Sequence, residues 1–185
     1  MKAKPLTSTQ KYIAANIPNI KDFPIKGIQF KDVTGLMVNT KAYRMVIDEI
    51  IRMVKKYQYD VIVAPESRGF WFSLPVAYQL KKSFVPIRKA GKLPRPTIGL
   101  EYTIEYGKAK IEIIKKDIKP GARVLIIDDL LATGGTVIAA IKLIRQLRAT
   151  PVAAIFVINL PDLPGKKNVE KTGVSVQSII DLPGK

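Results

Sequence analysis

At 185 residues, with 31 Lys and Arg against 15 Asp and Glu and a formal charge of +16, the chain has the length of one ordinary domain and a strongly basic surface. The sequence has no cysteine and no histidine. This excludes disulfides, thiolate nucleophiles, histidine general bases and the usual zinc sites, so any chemistry must use carboxylates, lysines, arginines, backbone amides or a hard metal.

In chain order, Thr9 to Asn16 reads as a short helix, and Ile17 to Thr34, rich in Pro and Gly, as an irregular stretch. Thr40 to Tyr57 places Tyr43, Val46, Ile47, Ile50, Ile51 and Val54 on one helical face, with Asn39 or Thr40 as its cap. Asp60 to Ala64 is a first buried strand, followed by the string PESRGFWF. Arg68 and Gly69 then sit at a carboxyl strand end, where an arginine suits bidentate grip of pyrophosphate oxygens and Ser67 and Gly69 offer backbone amides. The apolar run Phe70 to Leu80 is expected to be helical despite Pro75, and Phe84 to Ile87 to be a second strand. Arg88, Lys89 and Lys92 open the string IRKAGKLPRPT, whose run from Ala90 to Pro96 is too polar for a core. A mobile basic lid over about residues 89–108 is the expectation. Ile111 to Ile114, Val124 to Ile127 and Val152 to Ile158 complete the expected strands. Strands alternating with helices imply an α/β fold with a mostly parallel central sheet flanked by helices. No internal repeat or long linker divides the chain, so residues 1–185 are read as a single domain. No N-terminal signal pattern and no apolar run of about 18 residues is found, and the expected location is cytoplasmic.

The densest signal is VLIIDDLLATGGT, from Val124 to Thr136. Four consecutive apolar residues suit a strand buried on both faces of a parallel sheet. Asp128 and Asp129 follow at its carboxyl end, where open α/β sheets collect ligands, and two neighbouring carboxylates suit a vicinal diol. Ala132, Thr133, Gly134, Gly135 and Thr136 then supply glycine amides and hydroxyls for an anion nest. A helix beginning at about Val137, with Val137, Ile141, Ile144 and Leu147 on one face, would point its positive end at the same anion. The whole reads as a cradle for a ribose 5-phosphate.

This stretch resembles the phosphoribosyl-pyrophosphate signature of the type I phosphoribosyltransferases, and its DDLLATGGT wording is most similar to the adenine-specific branch. The likeness runs from about Ile17 to Leu160, with SRGF, RKxGKLP and EYGK in the family order. It implies magnesium-dependent transfer of a 5-phosphoribosyl group from phosphoribosyl pyrophosphate to adenine, giving AMP and pyrophosphate, in a homodimer. By the same resemblance Ser67, Arg68, Arg88, Lys89 and Lys92 face the pyrophosphate, and a strained peptide falls at Glu66 to Ser67. Glu105 matches the glutamate near the reaction centre. Residues 1–37 form an N-terminal hood, in which the main chain around Gln29 and Lys31 meets the purine edge, with Phe30 and Leu160 as apolar neighbours. Mg²⁺ would be held mainly by substrate oxygens, with no dedicated protein ligands. Glu66 stands where the family usually has Asp, Ser73 where Gly is common, Lys26 where Pro is usual and Gln29 where an aliphatic residue is usual.

Two rival readings stay open at this level: an enzyme of the same fold acting on a 6-oxo purine, and a non-catalytic regulator that senses phosphoribosyl pyrophosphate and binds nucleic acid. The lysines are spread over the whole chain without an RNA-binding aromatic string, so a solvated surface is preferred to a nucleic-acid partner.

Overall fold

The computed structural model describes residues 5–104 and 107–184. After α1 (Ser8–Ala15), the stretch expected to be irregular contains a two-stranded antiparallel ribbon, β1 (Asn19–Lys21) and β2 (Gln29–Lys31), then α2 (Thr34–Val38) and α3 (Thr40–Val54). Next come β3 (Val61–Pro65), α4 (Arg68–Gln79) and β4 (Ser83–Lys89), followed by a hairpin of β5 (Thr97–Ile104) and β6 (Gly107–Ile114). The chain closes with β7 (Arg123–Leu131), α5 (Gly135–Gln146), β8 (Thr150–Asn159), α6 (Gly165–Glu170) and β9 (Ser175–Asp181).

One seven-stranded sheet, ordered β5-β6-β4-β3-β7-β8-β9, spans the molecule. The strands from β4 to β9 in that order pair in parallel, whereas β6 joins β4 antiparallel and pairs antiparallel with β5. Residues alternate across the sheet: Ile62, Leu125, Ile127 and Ile155 pack with α3 and α4 residues such as Ile50 and Phe72. Val63, Val124, Ile126 and Phe156 pack against Val137, Ile141 and Ile144 of α5 on the other side. Double-sided burial explains why β3 and β7 read as continuous apolar runs. The chain leaves β3 to form β4 on one side and later returns as β7 on the other. This reversal of strand order between β3 and β7 is the switch point at which α/β sheets open a crevice.

Pro75 lies inside α4 and has no N–H for the Trp71 carbonyl one turn earlier. The Tyr43 hydroxyl of α3 donates to that carbonyl instead, and burial pushes the Tyr43 phenol up from its ordinary value, keeping it a donor. Tyr43→Phe is expected to lower stability by about 1–2 kcal/mol, a melting-temperature drop of roughly 2–6 °C, because the carbonyl loses its substitute donor. Pro75→Ala restores a backbone N–H, so in that background the effect of Tyr43→Phe should shrink, as paired thermal melts would measure.

Within residues 89–108, expected to be a mobile lid, residues 90–96 lie outside the strands as expected, while β4 runs to Lys89 and β5 carries Ile98, Leu100 and Tyr102 on the face that packs with the α5 side of the core. Among the described residues no helix is long and apolar enough to cross a membrane.

Candidate active site

The carboxyl ends of β3 and β7 open onto a cleft of about 390 Å³, lined by Pro65 to Arg68, Lys89 and the run from Asp128 to Val137. Both acidic residues belong to β7, which continues past them to Leu131, so the strand and not a loop presents them. Asp128 borders the cleft, while Asp129 is only 4% exposed. Asp128 Oδ1 accepts the Asp129 backbone N–H at 2.9 Å. A Cβ on Gly69 would lie 2.8 Å from that same oxygen, so only glycine lets the first turn of α4 come this close to the carboxylate. Enclosure by protein, and then the neighbouring Asp129 charge, hold the Asp128 carboxyl well above the usual aspartate range.

Arg68 Nε lies 2.7 Å from Asp129 Oδ2. The approach is off-line, so Oδ2 gains a charge contact but no directed hydrogen bond. The Arg68 guanidinium also sits 5.3 Å from the centre of the Phe30 ring, and Phe30 is met edge-on by Phe23 at 5.0 Å. One arginine thus touches both the diol-suited carboxylates and the hood.

Beyond Asp129 the chain turns through Ala132 to Thr136, and Gly134 caps α5 with a left-handed backbone at φ 87°. α5 therefore begins at Gly135, two residues earlier than its apolar pattern predicts. The Tyr102 hydroxyl of β5 lies 3.2 Å from Thr136 Oγ1, and a second cavity of about 430 Å³ beneath the hairpin is lined by Glu66, Lys89, Tyr102 and Thr136 among others. Neither Tyr102 nor that cavity follows from a local motif, since the contact joins β5 to the first turn of α5, 34 residues away.

Not every expected residue meets in the cleft. Ser67, Arg68, Lys89, Asp128, Asp129 and Ala132 to Thr136 do. Arg88 instead forms a two-pronged pair with Glu66, at 3.2 and 3.1 Å, and Glu66 also accepts the Lys89 N–H at 3.0 Å. Those hydrogen bonds, Arg88 first, hold the Glu66 carboxyl below its ordinary value. The glutamate found where the family usually has aspartate thus ties the β3 loop to β4. Lys92 is exposed, and its carbonyl accepts from Arg88 at 3.2 Å. The Glu66–Ser67 peptide is cis.

In the hood, Gln29 Oε1 accepts from Asn19 Nδ2 at 2.7 Å, and the buried Lys31 amine donates to Asn19 Oδ1 at 2.9 Å. Burial draws the Lys31 amine below its ordinary value. Period-two alternation puts these two side chains on the ribbon face opposite Phe30, so only Phe30 reaches toward Arg68. Leu160 is buried in the core cluster that also contains Ile17 and Leu36. Glu105 lies outside the described residues. Among the described residues no three His, Cys, Asp or Glu side chains are grouped to hold a metal ion.

Residues 38–184 match the phosphoribosyl transferase domain family. An adenine phosphoribosyltransferase of Aliivibrio salmonicida is 47% identical over 178 residues, spanning 96% of this chain and 98% of that protein. The chain belongs to the adenine phosphoribosyltransferase family. The crystal structure of the adenine phosphoribosyltransferase from Thermoanaerobacter pseudethanolicus superposes with a TM-score of 0.90 at 42% identity, covering 94% of this chain and 99% of that one. The Saccharomyces cerevisiae adenine phosphoribosyltransferase, solved with an imino-altritol bisphosphate and adenine, gives a TM-score of 0.86 at 34% identity over 94% of this chain and 99% of that one. The phosphoribosyltransferase fold expected from the Val124 to Thr136 signature is the observed one, with the signature at the sheet's switch point.

Proposed function

We propose that this protein transfers the 5-phosphoribosyl group of phosphoribosyl pyrophosphate to N9 of adenine, forming AMP and pyrophosphate. The observation that carries this reading is the convergence, in one cleft, of a carboxylate pair suited to a diol and a glycine loop suited to a phosphate. Membership of the adenine phosphoribosyltransferase family narrows the acceptor to adenine.

Asp128 and Asp129 are assigned to the ribose hydroxyls, and the amides and hydroxyls of Ala132 to Thr136 to the 5-phosphate. Ser67, Arg68 and Lys89 are assigned to the pyrophosphate, with Arg88 acting through Glu66 to hold the loop between β3 and α4. The ring face of Phe30 and the side chain of Leu160 are assigned to the base as apolar neighbours, with the Gln29 and Lys31 main chain at the purine edge. As the N9 to C1′ bond forms, the C1′ to oxygen bond breaks, its electron pair leaves with pyrophosphate, and the N9 proton is released. Mg²⁺ bound with the substrate would supply charge neutralisation of the leaving group, and within the described cleft Asp129 is already engaged by Arg68. The assembly is proposed to be a homodimer in the cytoplasm, and the exposed Leu74 and Tyr78 on α4 offer apolar surface for it.

Glu105 is proposed as the catalytic carboxylate, stabilising positive charge at C1′ or accepting the purine proton. Glu105→Gln is expected to lower kcat by about 10²-fold or more with little change in KM; a loss confined to KM would remove it from the chemistry. The function itself is tested by mixing protein, Mg²⁺ and phosphoribosyl pyrophosphate with each nucleobase and measuring nucleotide and pyrophosphate. Faster turnover of a 6-oxo purine than of adenine would overturn the acceptor. Sequence-selective nucleic-acid binding without turnover would overturn the enzyme.

A further inference from the structure

The loop from Ala132 to Thr136 is gripped from behind. The Ala132 carbonyl accepts the Gly165 N–H at 3.0 Å, and the Thr133 carbonyl accepts Asn168 Nδ2 at 3.2 Å. The residue before them, Leu131, has its carbonyl bonded by the Leu160 N–H at 3.0 Å. Three successive carbonyls are therefore drawn toward Leu160, just past β8, and toward α6. The contact is close, because a Cβ on Gly165 would fall 2.2 Å from the Ala132 oxygen, inside any permitted separation.

In a trans peptide the carbonyl and the following N–H lie in one plane and point in opposite directions. Both peptides here are trans. Drawing the Ala132 and Thr133 carbonyls backward thus turns the Thr133 and Gly134 N–H groups forward, toward the cleft that these residues line. Successive inward N–H groups ending at a left-handed glycine are the arrangement that concentrates positive potential on an anion. The Gly165 donor is main chain. Asn168, half-buried on α6 and absent from the cleft lining, is the only one of the three donors supplied by a side chain.

We propose that Asn168 is a positioning residue for the phosphate loop: by holding the Thr133 carbonyl it keeps the Thr133–Gly134 peptide oriented for the 5-phosphate. The inference rests on the reading that this loop takes the 5-phosphate. Without the amide, that peptide is free to rotate, and each visit to the reversed orientation presents a carbonyl oxygen to the phosphate. The grip should therefore affect ligands that carry the 5-phosphate and leave the base unaffected.

The test uses the whole protein and ribose 5-phosphate as probe, with Asn168→Leu, which keeps approximate volume but has no donor, and Asn168→Asp, which keeps shape but faces the carbonyl with an acceptor. Calorimetry should give a Kd for ribose 5-phosphate raised about fivefold to tenfold in Asn168→Leu, the worth of one neutral hydrogen bond, and raised further in Asn168→Asp. KM for phosphoribosyl pyrophosphate should rise in step, while KM for adenine stays within about twofold. Asn168→Gln, which retains an amide donor, should recover part of the loss. Wild-type binding of ribose 5-phosphate in both Leu and Asp variants overturns the proposal, as does an equal loss for adenine, which would mark a general packing role. Failure of the wild-type protein itself to bind ribose 5-phosphate would instead overturn the assignment of the loop.

Discussion

Asp128→Asn is expected to make the protein more stable and a worse enzyme at once. The carboxyl group of Asp128 is enclosed by protein beside Asp129, and both effects oppose its ionisation. Asparagine keeps the shape and the oxygen that accepts the Asp129 N–H at 2.9 Å, but removes the charge. Stability at neutral pH should rise by on the order of 1 kcal/mol, or roughly 2–4 °C in melting temperature. The sign with pH follows from linkage. A carboxyl whose folded value is raised binds its proton more tightly when folded, so its protonated form favours folding at low pH and that advantage is lost as pH rises through the folded value. The gap between variant and wild type should therefore be full above the raised value. It should close between that value and the ordinary aspartate value of about 3.9, below which both forms are neutral. Activity should move the other way, because the carboxyl assigned to the ribose hydroxyl is replaced by an amide: kcat/KM for phosphoribosyl pyrophosphate should fall by about 10- to 100-fold. Melts across pH together with steady-state kinetics check both halves. A variant that is less stable at neutral pH, or as active as wild type, would contradict the placement of this carboxylate.

This opposition explains why the pair was legible in sequence while its setting was not. The apolar run Val124 to Ile127 marks a buried strand, and two acids after it look like the start of a loop. The ladder instead continues, with Asp128 beside Phe156, Leu130 beside Ile158 and Leu131 beside Asn159. Strand pairing holds the carboxylates in extended backbone that their own preferences would not choose. The hairpin shows the reverse case. Ile98, Leu100 and Tyr102 alternate with polar residues or glycine as a strand requires, yet Gly91, Pro94 and Pro96 just before them make the whole region read as a lid. Local signals therefore gave the end of β3, the apolar body of β7 and the glycine loop, but not where β7 ends. Contacts between distant segments, such as Arg88 with Glu66, Arg68 with Phe30 and Asn168 with Thr133, depend on how strands are ordered, and no spacing in the chain encodes them.

Arg68 is where those distant contacts meet, and its replacement should have the broadest consequences. In Arg68→Ala the nearly buried Asp129 loses the cation 2.7 Å away. A fully buried pair broken in this way costs about 3–5 kcal/mol, but Arg68 is partly exposed, so a loss of about 1–3 kcal/mol is expected. The same change removes a donor assigned to pyrophosphate and the cation over Phe30, so kcat/KM should fall by about 10²- to 10³-fold, with KM for adenine raised as well. Arg68→Lys separates these effects. The ammonium restores a counter-charge for Asp129 and should return most of the stability, yet it is a point charge without the planar fork or the flat face that meets an aromatic ring. Turnover should stay at least about tenfold below wild type in the lysine variant, and adenine KM should stay high. Thermal melts and two-substrate kinetics on the three proteins read each contribution separately. A lysine variant with wild-type kcat/KM would mean that charge alone matters at this position, and that the link from the hood through Phe30 to the carboxylate pair has no part in binding the base.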